Sequence, residues 1–209
     1  MKKGSWNIVR RATACEAVSR AFAVLAVCLS IALSMASCGG ATETKDYDAD
    51  PAEAAEVKKG VKPEPDSEVA VFETEFGPIV VELYPNLAPK MVERFKKLVS
   101  AGFYNGTTFH RVDPDLGIIQ GGDPNSKDDD PSNDGMGGSD EADLPAEFSD
   151  IPFERGTVGA ARSQSVDSAN SQFYVTLKRQ PAFDQRYTVF GRVIEGIGNA
   201  DVISTAPVR

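Results

Sequence analysis

The chain has 209 residues, enough for one domain with extensions, and its 41% hydrophobic content is that of an ordinary globular protein. Its formal net charge is -9. Because Lys2, Lys3, Arg10, Arg11 and Arg20 face only Glu16 within the first 37 residues, the remainder is more acidic still, and such a body repels phosphate backbones, which argues against nucleic acid as a partner.

All three cysteines, Cys15, Cys28 and Cys38, fall in the opening stretch, so the body has neither a disulfide framework nor a cysteine nucleophile. Met1 to Arg20 is basic and polar, Ala21 to Met35 is apolar, and the small residues Ala36 and Ser37 precede Cys38. That order describes an export signal, and the apolar run is shorter than the roughly 20 residues that span a bilayer. Small residues directly before a cysteine resemble the bacterial lipobox, with Met35 where leucine is more usual. The resemblance implies that residues 1–37 are removed and that Cys38 is acylated. The protein would then be an exported lipoprotein, anchored to a membrane and facing the periplasm or the cell exterior. An ordinary cleaved signal, with Cys38 incidental, is the other reading. Residues 38–66 are rich in Ala, Glu, Asp, Lys and Pro and hold few large apolar groups. They bury too little surface to offset chain entropy, so a disordered acidic tether is expected there, followed by a folded domain over 67–209.

In that domain, Val69 to Tyr84 holds two β-rich runs around Glu75-Phe76-Gly77-Pro78, a hairpin signal. Pro89 suits the first turn of a helix, Val92, Phe95, Leu98 and Val99 share one helical face, and Gly102 is the stop. Thr107 to Val112 and Leu116 to Gln120 read as strands, Pro124 to Asp143 as loop, and Phe153–Ala161, Gln172–Leu177 and Tyr187–Ile194 as three further strands before a short final helix over Gly196–Ser204. Many strands, few helices and an opening hairpin indicate a mainly β, antiparallel protein.

Phe109 to Asp123, F-H-R-V-D-P-D-L-G-I-I-Q-G-G-D, holds the only histidine, His110, followed by Arg111, with Gln120 ahead of a Gly-Gly turn. Strand alternation sets Arg111 and His110 on opposite faces, which assigns His110 a structural part. Arg111 near the Gln120 amide makes a donor-rich pair with no acid expected to quench it locally. This stretch, with G-T-V-G-A-A-R-S (156–163), S-Q-F-Y-V (171–175) and F-D-Q-R-Y-T-V-F-G-R-V (183–193), resembles the cyclophilin family of peptidyl-prolyl cis-trans isomerases in order and near-identical spacing, from about Val69 to the end of the chain.

The resemblance implies an eight-stranded antiparallel closed barrel capped by two helices. Since the family has a further strand after the last helix and the given sequence stops at Arg209, an open seam is one outcome. It implies Arg111 and Gln120 as catalytic residues and Ile118, Phe173 or Tyr174, and Phe183 as the slot for the prolyl ring. Of the two aromatics, alternation places one in the core, and sequence alone does not say which. Ala161 and Arg162 match the platform under the residue before proline, and Tyr187 completes the set. The partners implied are proline-containing polypeptides, with no cofactor or metal, and a monomer is expected. The chain departs from the family in one extra residue between Arg111 and Gln120, so that Leu116 or Gly117 stands near the usual pocket phenylalanine, and in Ala182 where drug-sensitive members carry tryptophan, which implies weak cyclosporin binding. A proline-peptide-binding chaperone module without turnover is the rival reading. Asp130, Ser132, Asp134 and Glu141 fall at positions one, three, five and twelve of a calcium-type loop with Gly135 at six, although no amphipathic helices flank them and a solvated acidic loop is the simpler account.

Overall fold

The computed structural model describes residues 5–10 and 55–206. The chain divides into one unit of Met1–Arg11 with Asp50–Arg209 and a second of Ala12–Ala49. The apolar run and Cys38 of the expected signal lie outside the described residues.

The folded domain is built on a hairpin. Strand β3 (Glu68–Thr74) and β4 (Gly77–Leu83) pair antiparallel with Thr74 opposite Gly77. The turn is held by the Thr74 hydroxyl, which donates to the Gly77 carbonyl at 2.6 Å and accepts from the Phe76 N–H at 3.1 Å. Gly77 has φ +109°, which only glycine adopts without strain. Helix α1 (Pro89–Ser100) follows, and the predicted face of Val92, Phe95, Leu98 and Val99 is buried, joined by Met91 and Arg94. Ala88 offers the helix no side-chain cap. Glu147, distant in sequence, supplies it, its carboxylate accepting from the Lys90 N–H at 3.2 Å and the Met91 N–H at 3.0 Å. A negative charge on the first-turn amides also suits the positive end of the helix dipole.

After α1 come β5 (Arg111–Asp113), β6 (Ile118–Gly121), β8 (Thr157–Ala160), β9 (Phe173–Thr176), β10 (Val189–Glu195) and α2 (Ile197–Thr205). These five strands, with β3, β4 and β1 (Ser5–Arg10), form one eight-stranded antiparallel sheet in the order β1-β3-β4-β10-β8-β9-β6-β5. The barrel is therefore open. Strands β1 and β5 are the ends of the sheet, and no ladder joins them among the described residues. The eighth strand comes from the start of the chain. Ser5 to Arg10, expected as the basic lead of a signal, pairs residue for residue with Glu73 to Glu68.

A further correction concerns the tether. Its last part, 55–66, is ordered against the domain. Strand β2 (Val57–Lys58) pairs in parallel with β7 (Phe148–Ser149), the Lys58 ammonium donates to the Leu87 carbonyl at 2.7 Å, and the Gly60 and Glu64 N–H groups donate to the Asp150 and Asn86 side chains at 2.7 and 3.0 Å. The segment is poor in apolar residues, yet its backbone finds polar partners on the domain, which composition does not reveal.

The expected strand over Thr107–Val112 begins only at Arg111. The Thr107 hydroxyl turns back to the Tyr104 carbonyl and the Thr108 N–H donates to the Ser126 hydroxyl, so that backbone is satisfied off the ladder. Between sheet and α1 lies the main core, where Phe95 meets Phe72, Tyr104, Phe173 and Phe190 at ring-centroid distances of 5.3–6.2 Å. A second apolar cluster, centred on Ile118, Phe153, Tyr174 and Val189, covers the opposite face of β6, β8 and β9.

Candidate functional site

The site begins as a row across four strands. Arg111 on β5 stands opposite Gln120 on β6, Gln120 opposite Tyr174 on β9, and Tyr174 opposite Gly159 on β8. Residues directly opposite in a sheet share a face, so the guanidinium, the amide and the phenol ring lie side by side. Alternation puts the neighbours of this row, Ile119, Gly121, Phe173 and Val175, on the core face.

The row resolves the Phe173 and Tyr174 alternative. Phe173 is wholly buried in the main core and does not belong to the second cluster, which places it on the face away from the expected slot. Tyr174 belongs to the second cluster. It stacks on Phe153 at 5.8 Å and meets Phe183 and Tyr187 edge-on at 5.5 and 5.8 Å. Ile118, Ala161, Phe183 and Tyr187 gather in the same cluster, as does Leu116, which fills the place left uncertain by the extra residue. Gly117 instead makes the turn before β6, with φ +62°. Gly159 makes room for the stack, since a Cβ there would lie 2.6 Å from the Tyr174 ring and 2.7 Å from Phe153. The Tyr174 hydroxyl is buried and meets no hydrogen-bond partner among the described residues. Arg162 lies over the Tyr187 ring at 4.5 Å and donates to the Arg186 carbonyl at 3.1 Å, which fixes that ring at the rim of the notch.

A polar cleft of roughly 450 Å³ adjoins this apolar notch, with Gln120, Ala161, Arg162 and Gln172 among its walls. Gln172, quoted within a motif but not singled out from sequence, organises it. Its amide N–H₂ donates to the Gly135 and Gly137 carbonyls at 2.9 and 2.8 Å, and its oxygen accepts from the Gln120 amide at 2.9 Å.

Arg111 is not without an acid. Its guanidinium donates to the Asp113 carboxylate at 3.0 Å, an ion pair half open to solvent. Two residues apart on a strand is the same face, so the sequence carried this signal unread. The Leu116 N–H, donating to the other Asp113 oxygen at 2.9 Å, and the Arg111 guanidinium hold the Asp113 carboxyl below the usual range.

His110 packs beneath Gly135, whose Cβ position is 3.6 Å from its ring, behind the loop that carries the cleft wall. Burial pushes its pKa below the ordinary value of 6.5 against the pull of Asp123 and Asp134, with Arg111 adding a smaller push downward. As pH falls the unfolded imidazole takes its proton first, so the unfolded state binds more protons and stability declines. Thermal denaturation should show a Tm that drops between about pH 7 and pH 5.5. His110→Gln should flatten that slope, and an unchanged slope would remove His110 from the account.

The acidic loop does not form a calcium cage. Glu141 is engaged by Arg94 and Lys97 at 3.1 and 2.6 Å, the Asp130 carboxylate caps its own loop by accepting from the Ser132 N–H at 3.0 Å, and no group of three or more His, Cys, Asp or Glu side chains among the described residues is placed to hold a metal. Asp134, at loop position five, faces His110 instead.

Three comparisons bear on this arrangement. A family model described as cyclophilin type peptidyl-prolyl cis-trans isomerase/CLD matches residues 69–209. A probable peptidyl-prolyl cis-trans isomerase of Brucella suis is 49% identical over 131 residues, and the match covers 61% of this chain and 66% of that protein. Peptidyl-prolyl cis-trans isomerase-like 1 of Mus musculus is 40% identical over 130 residues, covering 61% of this chain and 74% of that one. Among solved structures, a cyclophilin type peptidyl-prolyl cis-trans isomerase of Cryptosporidium parvum, determined in the presence of the dipeptide Ala-Pro, aligns with TM-score 0.59 at 27% identity over 66% of this chain and 86% of its own. The chain thus spans about two thirds of the length of the Brucella relative.

Proposed function

The chain belongs to the cyclophilin-type peptidyl-prolyl cis-trans isomerase family, and from that premise we propose that it catalyses rotation about X-Pro bonds in proline-containing polypeptides. The row of Arg111, Gln120 and Tyr174 across adjacent strands carries the reading. The chemistry needs no covalent step. The peptide bond resists rotation by roughly 18–20 kcal/mol because the nitrogen lone pair is shared with the carbonyl, and a catalyst has only to favour the twisted amide over both planar forms. Twisting returns the lone pair to the prolyl nitrogen, which then accepts a hydrogen bond. Arg111 supplies the donor from its planar guanidinium. The prolyl ring enters the notch of Ile118, Tyr174, Phe183 and Tyr187. Gln120, its amide N–H₂ committed to Gln172, presents its oxygen to a substrate N–H. The residue before proline lies along Ala161 and Arg162, and the chain beyond it runs into the polar cleft.

A protease-coupled assay on a short proline peptide tests this, with acceleration by wild type as the expected result. A protein that binds the peptide but leaves its isomerisation rate unchanged would instead be a chaperone module, the reading that the extra residue between Arg111 and Gln120 leaves open.

The apolar run and the small residues ahead of Cys38 support an exported protein anchored there by acyl chains, whose maturation would remove residues 1–37, β1 included, and leave the outer edge of β3 unpaired. Expression in a bacterial host with labelled palmitate should give a labelled membrane-bound protein. Cys38→Ser should lose both label and membrane association, and an unlabelled wild type would overturn the anchor.

A further inference from the structure

We propose that Asp113 is a positioning residue for the isomerisation, holding the Arg111 guanidinium at the mouth of the notch before substrate arrives. The inference rests on the isomerase reading and deepens it. Arg111 is the most exposed member of the row and stands on a strand of only three residues at the edge of the sheet. Left alone, such a side chain samples many rotamers, and a donor that must be ordered during the reaction loses much of its effect. Asp113 removes that freedom from the same strand and face, with a single bond from one terminal nitrogen at 3.0 Å. A guanidinium has five N–H donors, so one such bond leaves the others to meet substrate.

Asp113 is itself fixed. Its second oxygen accepts from the Leu116 N–H at 2.9 Å, which closes the turn into β6. Behind that turn, the Lys178 ammonium donates to the Asp115 carbonyl at 2.6 Å, its side chain packed against Gly117, and the Gln180 amide donates to the Leu116 carbonyl. The turn carries the residue that the chain has in excess of its family's spacing, so the extra length builds a platform for the carboxylate. The charged groups around Asp113 are Arg111 on its own strand and, from the turn and the segment packed on it, Asp115 and Lys178. Of these only Arg111 meets the carboxylate with its charged group, while Asp115 adds a backbone hydrogen bond, and Arg111 and Asp113 together leave the local charge balanced.

Two variants separate this role from a structural one. Asp113→Asn keeps an acceptor for the Leu116 N–H and hence the turn, but loses the charge that clamps Arg111. Asp113→Ala loses both. The full chain of each is assayed on a proline peptide, and the order of the Arg111 Nε–H is followed by ¹⁵N relaxation. Asp113→Ala should lower kcat about tenfold with KM little changed, and Asp113→Asn should fall between it and wild type, as expected when a reacting group loses its alignment and not its partner. Arg111 should become mobile in both. An active wild type whose Asp113→Asn variant matches or exceeds it in kcat, or keeps Arg111 as ordered, overturns the positioning role alone. An inert wild type overturns the isomerase reading and this inference with it.

Discussion

Arg111→Ala is expected to reduce kcat/KM for a proline peptide by about a hundredfold or more, the loss that follows removal of one preorganised donor aimed at developing charge. That corresponds to roughly 2.7 kcal/mol or more of transition-state stabilisation, at about 1.4 kcal/mol per factor of ten. Peptide affinity should change much less, because ground-state binding depends on the prolyl ring in the notch and on Gln120, neither of which the substitution touches. Arg111 is half exposed and lies in neither apolar cluster, so the fold should tolerate its loss. Arg111→Lys should rescue little. An ammonium is a compact point charge with no planar fork, and it cannot bond to Asp113 and reach the amide nitrogen in the same geometry. Retention of a third of wild-type kcat/KM by the alanine variant would place the rate enhancement elsewhere, in the notch and in desolvation of the amide.

What made Arg111 readable in advance was locality. The site is a row on neighbouring strands, and period-two alternation with a register of motifs was enough to put Arg111, Gln120, Ile118, Phe183 and Tyr187 on one surface. The same rule applied two residues further would have found Asp113. Other features were invisible for physical reasons. Strand β1 reads as part of a signal because Lys2, Lys3, Arg10 and Arg11 surround it and an apolar run follows, and it becomes a strand only by using the free edge of β3. Residues 55–66 are held by backbone bonds to Asp150 and Asn86, long-range partners that no local composition encodes. The Gln172 contacts span 35 to 52 residues and depend on a loop whose sequence reads only as polar.

The sharpest case is the pair Phe173 and Tyr174, chemically near-equal neighbours that the fold sends to opposite faces. Phe173→Ala should destabilise the domain by about 3–5 kcal/mol, the range for removing a large core aromatic whose cavity cannot close. The Phe173 ring is wholly buried and lies within 5.5–6.5 Å of the rings of Phe72, Phe95, Tyr104, Phe109 and Phe190, so several aromatic contacts are lost together. Set against a total stability of about 5–15 kcal/mol, this should lower Tm by roughly 10 °C or more for a domain of this size. Phe173→Leu, which retains most of the volume, provides a folded partner for the comparison. At temperatures where they remain folded, both Phe173 variants should keep kcat/KM near wild type, since the ring never meets substrate. Tyr174→Ala should do the reverse. It opens the notch, so KM rises and turnover falls even in the folded protein. If the folded Phe173 variants lose as much kcat/KM as Tyr174→Ala, then the two faces of β9 are not independent, and core packing transmits to the notch through the strand itself.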